Sequence, residues 1–185
     1  MGLKVHKSEL NSSMIQSLLE TESKDAAALI TAINSFVSDT SESLKGEAYD
    51  TARAEMIAYA KILEKRVTAA ADLATAVANS TNSLSNYMGS YDYLDDSDIP
   101  TLKQEIANIQ ASYEEIIQSY KRRSFLRRLF FNEGKLRREC AAKIQPLQDE
   151  VKKLEGLAGA DSTAYGLLNS ATSTVEAYRT SVTSK

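Results

Sequence analysis

The stretch SLKGEAYD, residues 43–50, places one glycine between two long segments that both have helical periodicity. Before it, apolar residues recur at three- and four-residue spacing from Ser8 to about Ser43, and a similar pattern follows it toward Tyr87. Two long helices joined by a few residues fold back on each other as an antiparallel hairpin. The stretch therefore predicts a helical hairpin with Leu44 at its tip.

Gly46 has two interpretations. It is either an ordinary residue that ends the first helix with a positive φ, as many helix ends require, or an obligatory turn on which the hairpin closes. In the second interpretation Leu44 packs between the helix ends and Lys45 faces water. Both interpretations predict a positive φ at Gly46.

Composition predicts an all-α protein. Two prolines and seven glycines occur in a chain rich in Ala, Leu, Glu, Lys and Gln. At 185 residues the chain can form a core, although the absence of Trp leaves it few bulky anchors. With a rise of 1.5 Å per residue, each hairpin helix is roughly 50–60 Å long. We expect an elongated helical hairpin that is extended by further long helices.

Breaks in the periodicity predict the domain organisation. Residues 1–88 form the hairpin, residues 89–98 (GSYDYLDDSD) form an acidic linker, and residues 99–185 form further helices of the same elongated domain. Pro100 suits the first turn of the third helix. The net charge of −3 is uneven, because residues 101–185 carry 14 Lys/Arg and 10 Asp/Glu, whereas the preceding hundred carry 8 and 15.

The sequence disfavours catalysis and cofactor binding. It contains no glycine-rich phosphate loop after a strand and no HExxH motif, and His6 lies near a terminus that we expect to fray. Cys140 is the single cysteine, which excludes a disulfide or a Cys/His zinc site within one chain. No secretory h-region and no run of about 18 apolar residues occurs, so Sec export and membrane spanning are disfavoured.

The order of motifs along the first half of the chain resembles that of a known bacterial family. The chain resembles the LXG domain of type VII secreted polymorphic toxins. The resemblance rests on an N-terminal MGLKV…SEL, a long helix, the turn Leu44-Lys45-Gly46 and a second long helix. That domain looks like an extended relative of the small Trp-Xaa-Gly helical hairpins. The resemblance covers the hairpin well and the segment after residue 100 only by its helical character.

The resemblance implies a non-catalytic targeting domain. In the family, this domain binds small helical Trp-Xaa-Gly-like partner or chaperone proteins and is presented to the type VII secretion machinery ahead of a variable C-terminal toxin. The residues here leave no room for such a toxin domain. We expect synthesis in the cytoplasm and secretion through the type VII system. A self-associating helical scaffold and a peripheral membrane-binding helical module are the alternatives.

The apolar stripes of the hairpin are the candidate partner face, because a two-helix rod cannot cover them fully. The residues chosen for this face are Met14, Leu18, Ile33, Val37, Met56, Leu63 and Val67.

The segment YDYLD contains a candidate export signal. Type VII substrates carry Tyr-Xaa-Xaa-Xaa-Asp/Glu just after a helical hairpin, and Tyr91 and Asp95 match it in what we expect to be an exposed, polar setting. The alternative is that Asp92, Asp95, Asp96 and Asp98 form a solvated linker that caps the third helix.

Residues 121–143 hold nine Lys/Arg against two Glu. Packing of the helix against a partner or the core is favoured, a membrane surface is an open alternative, and nucleic acid is disfavoured because aromatic residues are not interleaved for stacking. The basic-apolar patch within this segment consists of Arg123, Phe125, Leu126, Arg127, Arg128, Leu129 and Phe130.

Overall fold

The computed structural model describes residues 2–122 and 131–184. These residues form an all-α fold, as the sequence predicts, with one small sheet that it does not predict. The elements in chain order are β1 (Lys4–His6), α1 (Ser13–Thr40), α2 (Glu47–Met88), β2 (Tyr93–Asp95), α3 (Ile99–Lys121), α4 (Glu133–Glu155), α5 (Leu157–Asn169) and α6 (Thr172–Thr183). One-turn 3-10 helices follow β1 at Lys7–Glu9 and β2 at Asp96–Asp98.

The chain divides into two compact units that are each discontinuous in sequence. The hairpin unit consists of Ser8–Gly89 together with the chain from Ala160 onward. The sheet unit consists of the residues up to Lys7 together with Ser90–Gly159. This grouping differs from the predicted consecutive blocks. The physical reasons are that β1 pairs with β2, and that α6 packs against α2.

The hairpin unit is built on α1 and α2, which pack along each other through small and aliphatic side chains. Small residues at the contact let two helix axes approach closely. Alanines therefore contribute much of the buried surface of α2. The hairpin core consists of Ala26, Ile33, Ala60 and Leu63, with Ile30, Val37 and Val67 packed against it.

Gly46 begins α2 as its N-cap, and its backbone confirms the predicted positive φ. Its φ and ψ are 125° and 156°, a region that residues with a Cβ rarely adopt. Its carbonyl accepts hydrogen bonds from the amides of Tyr49 and Asp50, each at 3.0 Å. No heavy atom lies within 4 Å of the position that a Cβ would take. The backbone conformation, and not a lack of space, therefore requires glycine here.

Arg53 ties the end of α1 to the start of α2. Its Nη1 donates hydrogen bonds to the carbonyl of Thr40 at 3.1 Å and to the carbonyl of Leu44 at 2.8 Å, while Nη2 pairs with Asp50. The Arg53 side chain is only 12% exposed. The last carbonyls of a helix lack intrahelical partners and carry partial negative charge, so a cation is favourable there. Leu44 is half-buried beside this contact, and Lys45 is exposed.

The sheet unit combines the two strands with α3 and α4. The strands pair antiparallel with Val5 opposite Leu94, and both of these side chains are buried. The helices α3 and α4 pack against each other, with Ile117 and Ile144 buried. His6 lies in β1, so the expectation of a frayed terminus at this residue is wrong.

We predict that Gly46→Ala and Gly46→Val each lower the free energy of unfolding by about 1–3 kcal/mol, because either side chain penalises the positive φ. Gly46→Val should cost at least as much as Gly46→Ala, because β-branching adds strain at a positive φ, whereas the Cβ itself meets open space. Thermal and urea unfolding followed by circular dichroism measure the change, and Lys45→Ala is the control that should behave as wild type. A Gly46→Ala variant with unchanged stability would contradict the prediction.

We also predict that Arg53→Met destabilises the hairpin by about 1.5–3 kcal/mol, since two carbonyls lose hydrogen bonds from a charged donor. The matched control is Arg66→Met. Arg66 pairs with Glu22, but both side chains are more than a third exposed, so its loss should cost at most about 1 kcal/mol. Equal unfolding midpoints for the two variants would show that Arg53 has no special role.

Candidate functional site

The residues chosen for the partner face fall into two groups in the structure. Ile33 and Leu63 are 8% and 3% exposed, and both belong to the hairpin core. Val37 and Val67 pack against that core. These four residues therefore stabilise the hairpin itself. The exposed members of the predicted face are Met14, Leu18 and Met56.

Exposed apolar residues lie on one side of α1 beside the core residues, in two groups separated on that side by Glu22 and Asp25. At 100° per residue, Ile15, Leu18, Leu29 and Phe36 fall within an arc of about 60° on the helix. Their exposed fractions are 50%, 62%, 43% and 42%. Met14, which borders this arc, is 84% exposed. We call these five residues the α1 stripe. The spacing of Ile15, Leu29 and Phe36 by multiples of seven residues was the sequence signal for it.

The candidate export residues occupy different environments. Tyr91 is half-buried. Asp95 is 5% exposed, so the exposure expected for it is wrong, although its surroundings are polar. Asp95 is the last residue of β2, where its side chain accepts a hydrogen bond from the amide of Ser97 at 2.9 Å. Residues 93–95 therefore belong to a strand, and the predicted linker contains ordered structure.

Four donors surround the Asp95 carboxylate. Oδ2 lies 2.6 Å from Lys4 Nζ and accepts a hydrogen bond from the Tyr93 hydroxyl at 2.7 Å. Oδ1 accepts hydrogen bonds from the amide and the hydroxyl of Ser97 at 2.9 Å and 2.5 Å. A buried carboxylate is tolerated when its oxygens are paired in this way. Lys4, Tyr93 and Ser97 were missed as members of this site because their types are common and Lys4 is distant in sequence.

The contacts shift three ionisation equilibria. The hydrogen bond from Lys4 lowers the pKa of Asp95 far below its ordinary value, and the bonds from Ser97 and Tyr93 lower it further. The same hydrogen bond raises the pKa of Lys4. The hydrogen bond to Asp95 raises the pKa of the Tyr93 hydroxyl. Asp95 is therefore ionised, and the cluster is a paired charge network rather than an acid poised to donate a proton.

Two cross-strand pairs bring the side chains of β1 and β2 together. Lys4 lies opposite Asp95, and His6 lies opposite Tyr93 with ring centroids 4.3 Å apart. Both pairs are non-hydrogen-bonded pairs of the antiparallel ladder. Side chains approach each other most closely at such pairs. The pairing explains why a strand of three residues is ordered.

The predicted basic-apolar patch lies outside the described residues, since all seven of its members fall within 123–130. Of the neighbouring basic residues, Arg137 donates hydrogen bonds to Glu133 at 2.7 Å and 2.9 Å and lies 3.8 Å from the carboxylate of Glu114. The hydrogen bond from Arg137 lowers the pKa of Glu133. Arg137 is therefore paired within its own unit.

An open cleft of about 350 Å³ lies between α3 and α4. Tyr113, Ile117 and Ile144 contribute apolar surface to it, and Lys143 Nζ lies 5.4 Å from the centre of the Tyr113 ring. Cys140 is a half-buried free thiol on the same cleft. The residues that line it do not form a nucleophile and base pair of the kind that catalysis by a thiol requires.

Within residues 2–122 and 131–184, no three Asp, Glu, His or Cys side chains come together as a metal site would require. Among the helices of this part of the chain, none combines the length and apolarity that crossing a bilayer needs. No family model, curated protein or solved structure matches the chain. Functional inference therefore depends on the residues and contacts described above.

We predict that Asp95→Asn lowers the thermal midpoint of unfolding at neutral pH. We also expect the midpoint of this variant to fall less steeply than that of the wild type as the pH is lowered. Because the pKa of Asp95 is lower in the folded state than its ordinary value near 3.8, its contribution to stability is present above that value and is lost as pH falls below it. Melting curves between about pH 6 and pH 2 test this.

Asp92→Asn is the matched control, because the Asp92 side chain is exposed in the same segment. It should retain the acid dependence of the wild type. An Asp95→Asn protein whose midpoint falls with acid as steeply as the wild type would show that the carboxylate network contributes no stability.

Proposed function

We propose that the chain is an LXG-type targeting domain of a bacterial type VII secretion effector, and that it binds small helical partner proteins through the α1 stripe. The observation that carries the proposal is the exposure of this stripe on a hairpin whose core is already filled by its own residues. The order of MGLKV, the long helices and Leu44-Lys45-Gly46 supports the family.

The α1 stripe has the properties of an interface. Single exposed apolar residues are ordinary on protein surfaces, but several large ones aligned along one helix indicate a surface that another molecule covers. Covering them contributes about 25 cal/mol per Å² of apolar area removed from water. A narrow stripe parallel to a helix axis suits a second helix, whose side-chain ridges fit along it.

The charges on α1 indicate the chemistry of the partner. The helix carries Glu20, Glu22, Asp25 and Asp39 against one basic residue, Lys24. An amphipathic partner helix with Lys or Arg beside its apolar face would therefore match α1 in both polarity and charge. The proposal assigns no catalytic role and no cofactor to the chain.

The experiment measures export and partner binding in the same proteins. The tagged chain is expressed in a bacterial host with an active type VII system and in an isogenic host in which that system is inactivated. Leu18→Asp places a charge in the α1 stripe, and Ser17→Asp places the same charge about 100° around the helix, outside the stripe. Both positions are exposed, so both variants should retain wild-type melting.

We predict export of the wild type and of Ser17→Asp only in the host with the active system. Leu18→Asp should lose co-purification with small helical proteins encoded beside the chain, by roughly tenfold or more in retained partner, because a buried unpaired charge is strongly unfavourable. Equal secreted fractions in both hosts would overturn the secretion function. A homodimer that Leu18→Asp dissociates would instead support the self-associating scaffold.

A further inference from the structure

We infer that residues 2–7, here called the N-terminal strap, pair with Asp92–Asp95 of the candidate export signal, and that the strap detaches before the secretion machinery binds this signal. The inference rests on the proposed function, because it concerns when the candidate export signal becomes accessible. It adds an autoinhibitory contact that the export motif alone does not imply.

The first observation is that the Asp95 carboxylate is unavailable to another protein while the strap is in place. Both of its oxygens already accept hydrogen bonds, and the residue is 5% exposed. The donor that comes from outside its own segment is Lys4, at 2.6 Å. A receptor that recognises this carboxylate therefore has to replace Lys4.

The second observation is that the strap is attached at both ends. At one end, Leu3 and Asp96 exchange hydrogen bonds: the Leu3 amide donates to Asp96 Oδ1 at 2.8 Å, and the Asp96 amide donates to the Leu3 carbonyl at 3.1 Å. At the other end, the Lys7 amide donates to the Asp92 carbonyl at 2.9 Å. The strap therefore lies along Asp92–Asp95, which are four of the five residues of the candidate signal.

Gly2 shows how closely the strap approaches this segment. A Cβ on Gly2 would lie 2.5 Å from Asp96 Oδ1 and 3.1 Å from Ser97 Cβ. The first distance is too short for any real contact, so a side chain at this position forces Asp96 Oδ1 to move, which breaks its hydrogen bond with the Leu3 amide. Position 2 is thus a place where substitution loosens the strap without changing the residues of the signal.

The third observation is that the strand within the strap is short. Its strand is three residues long, and Val5 is the buried side chain among them. A two-stranded sheet is marginally stable in water, and such segments open locally at a lower free energy than the whole protein unfolds. The strap can therefore detach while the helices remain folded.

The experiment opens the strap in two independent ways within the full chain. Lys4→Ala removes the donor to Asp95, and Gly2→Val introduces the steric conflict. Lys4→Arg is the matched control, because it retains a cation that reaches the carboxylate. All three leave Tyr91 and Asp95 in place. Hydrogen exchange at the amides of Lys7 and Asp96 reports opening, and the export assay described above reports recognition.

We expect amide exchange to become roughly three- to tenfold faster in both opened variants, with helical circular dichroism unchanged. Their early rate of export should rise by a similar factor, and Lys4→Arg should match the wild type in both measurements. Faster exchange with unchanged or reduced export would overturn the inference, because the strap would then not limit recognition. Unchanged exchange in both variants would also overturn it.

Failure of the proposed function gives a different pattern. A wild-type chain that is secreted equally with and without an active type VII system overturns the function, and the inference with it. A wild-type chain whose export needs the system, together with opened variants that gain nothing, overturns the inference alone.

Discussion

The reversal of the chain at Gly46 is the constraint on which the hairpin unit depends. A positive φ turns the backbone so that α2 runs back along α1, and Arg53 in α2 fixes the turn by binding the carbonyls of Thr40 and Leu44, which precede Gly46. The reversal also sets the register of the two helices. That register places Ile33 against the α2 core and leaves Phe36 exposed on the neighbouring side of the same helix. The composition of the exposed stripe is therefore a consequence of the turn.

The Asp95 carboxylate is to the sheet unit what the turn at Gly46 is to the hairpin unit, because it holds distant segments together. Asp95 is nearly buried, and its ion pair with Lys4 joins two segments that are about ninety residues apart in the sequence. Hydrogen bonds to a charged acceptor are stronger than those between neutral groups, and burial reduces their screening by water. This explains how so short a strand as β1 is held. It also gives the start of the chain a structural role, which the lone motif MGLKV did not reveal.

Periodicity predicted the hairpin because a long amphipathic helix repeats its signal over many turns, and glycine at the reversal predicted the positive φ. The same periodicity could not separate the hairpin core from the exposed stripe, since apolar residues on adjacent arcs of one helix have the same spacing. Ile33 and Leu18 show this most clearly. Arg53 was not recognised because one arginine on a charged helix carries no sequence signal. The strands were missed because three residues are too few to show an alternating pattern. Their pairing also joins segments that are far apart in the sequence, which a local pattern cannot indicate.

The discontinuity of both units has a consequence for synthesis on the ribosome. The sheet unit needs β1, which emerges first, and then has to wait for β2 and the helices that follow it. The hairpin emerges well before α6, which packs against α2 and completes the same unit. Neither unit can close as its own stretch of chain appears, and contacts of this sequence separation slow folding. The nascent protein is therefore expected to carry an incomplete hairpin unit until α6 has been synthesised, and this is the interval in which a holding chaperone has most to protect.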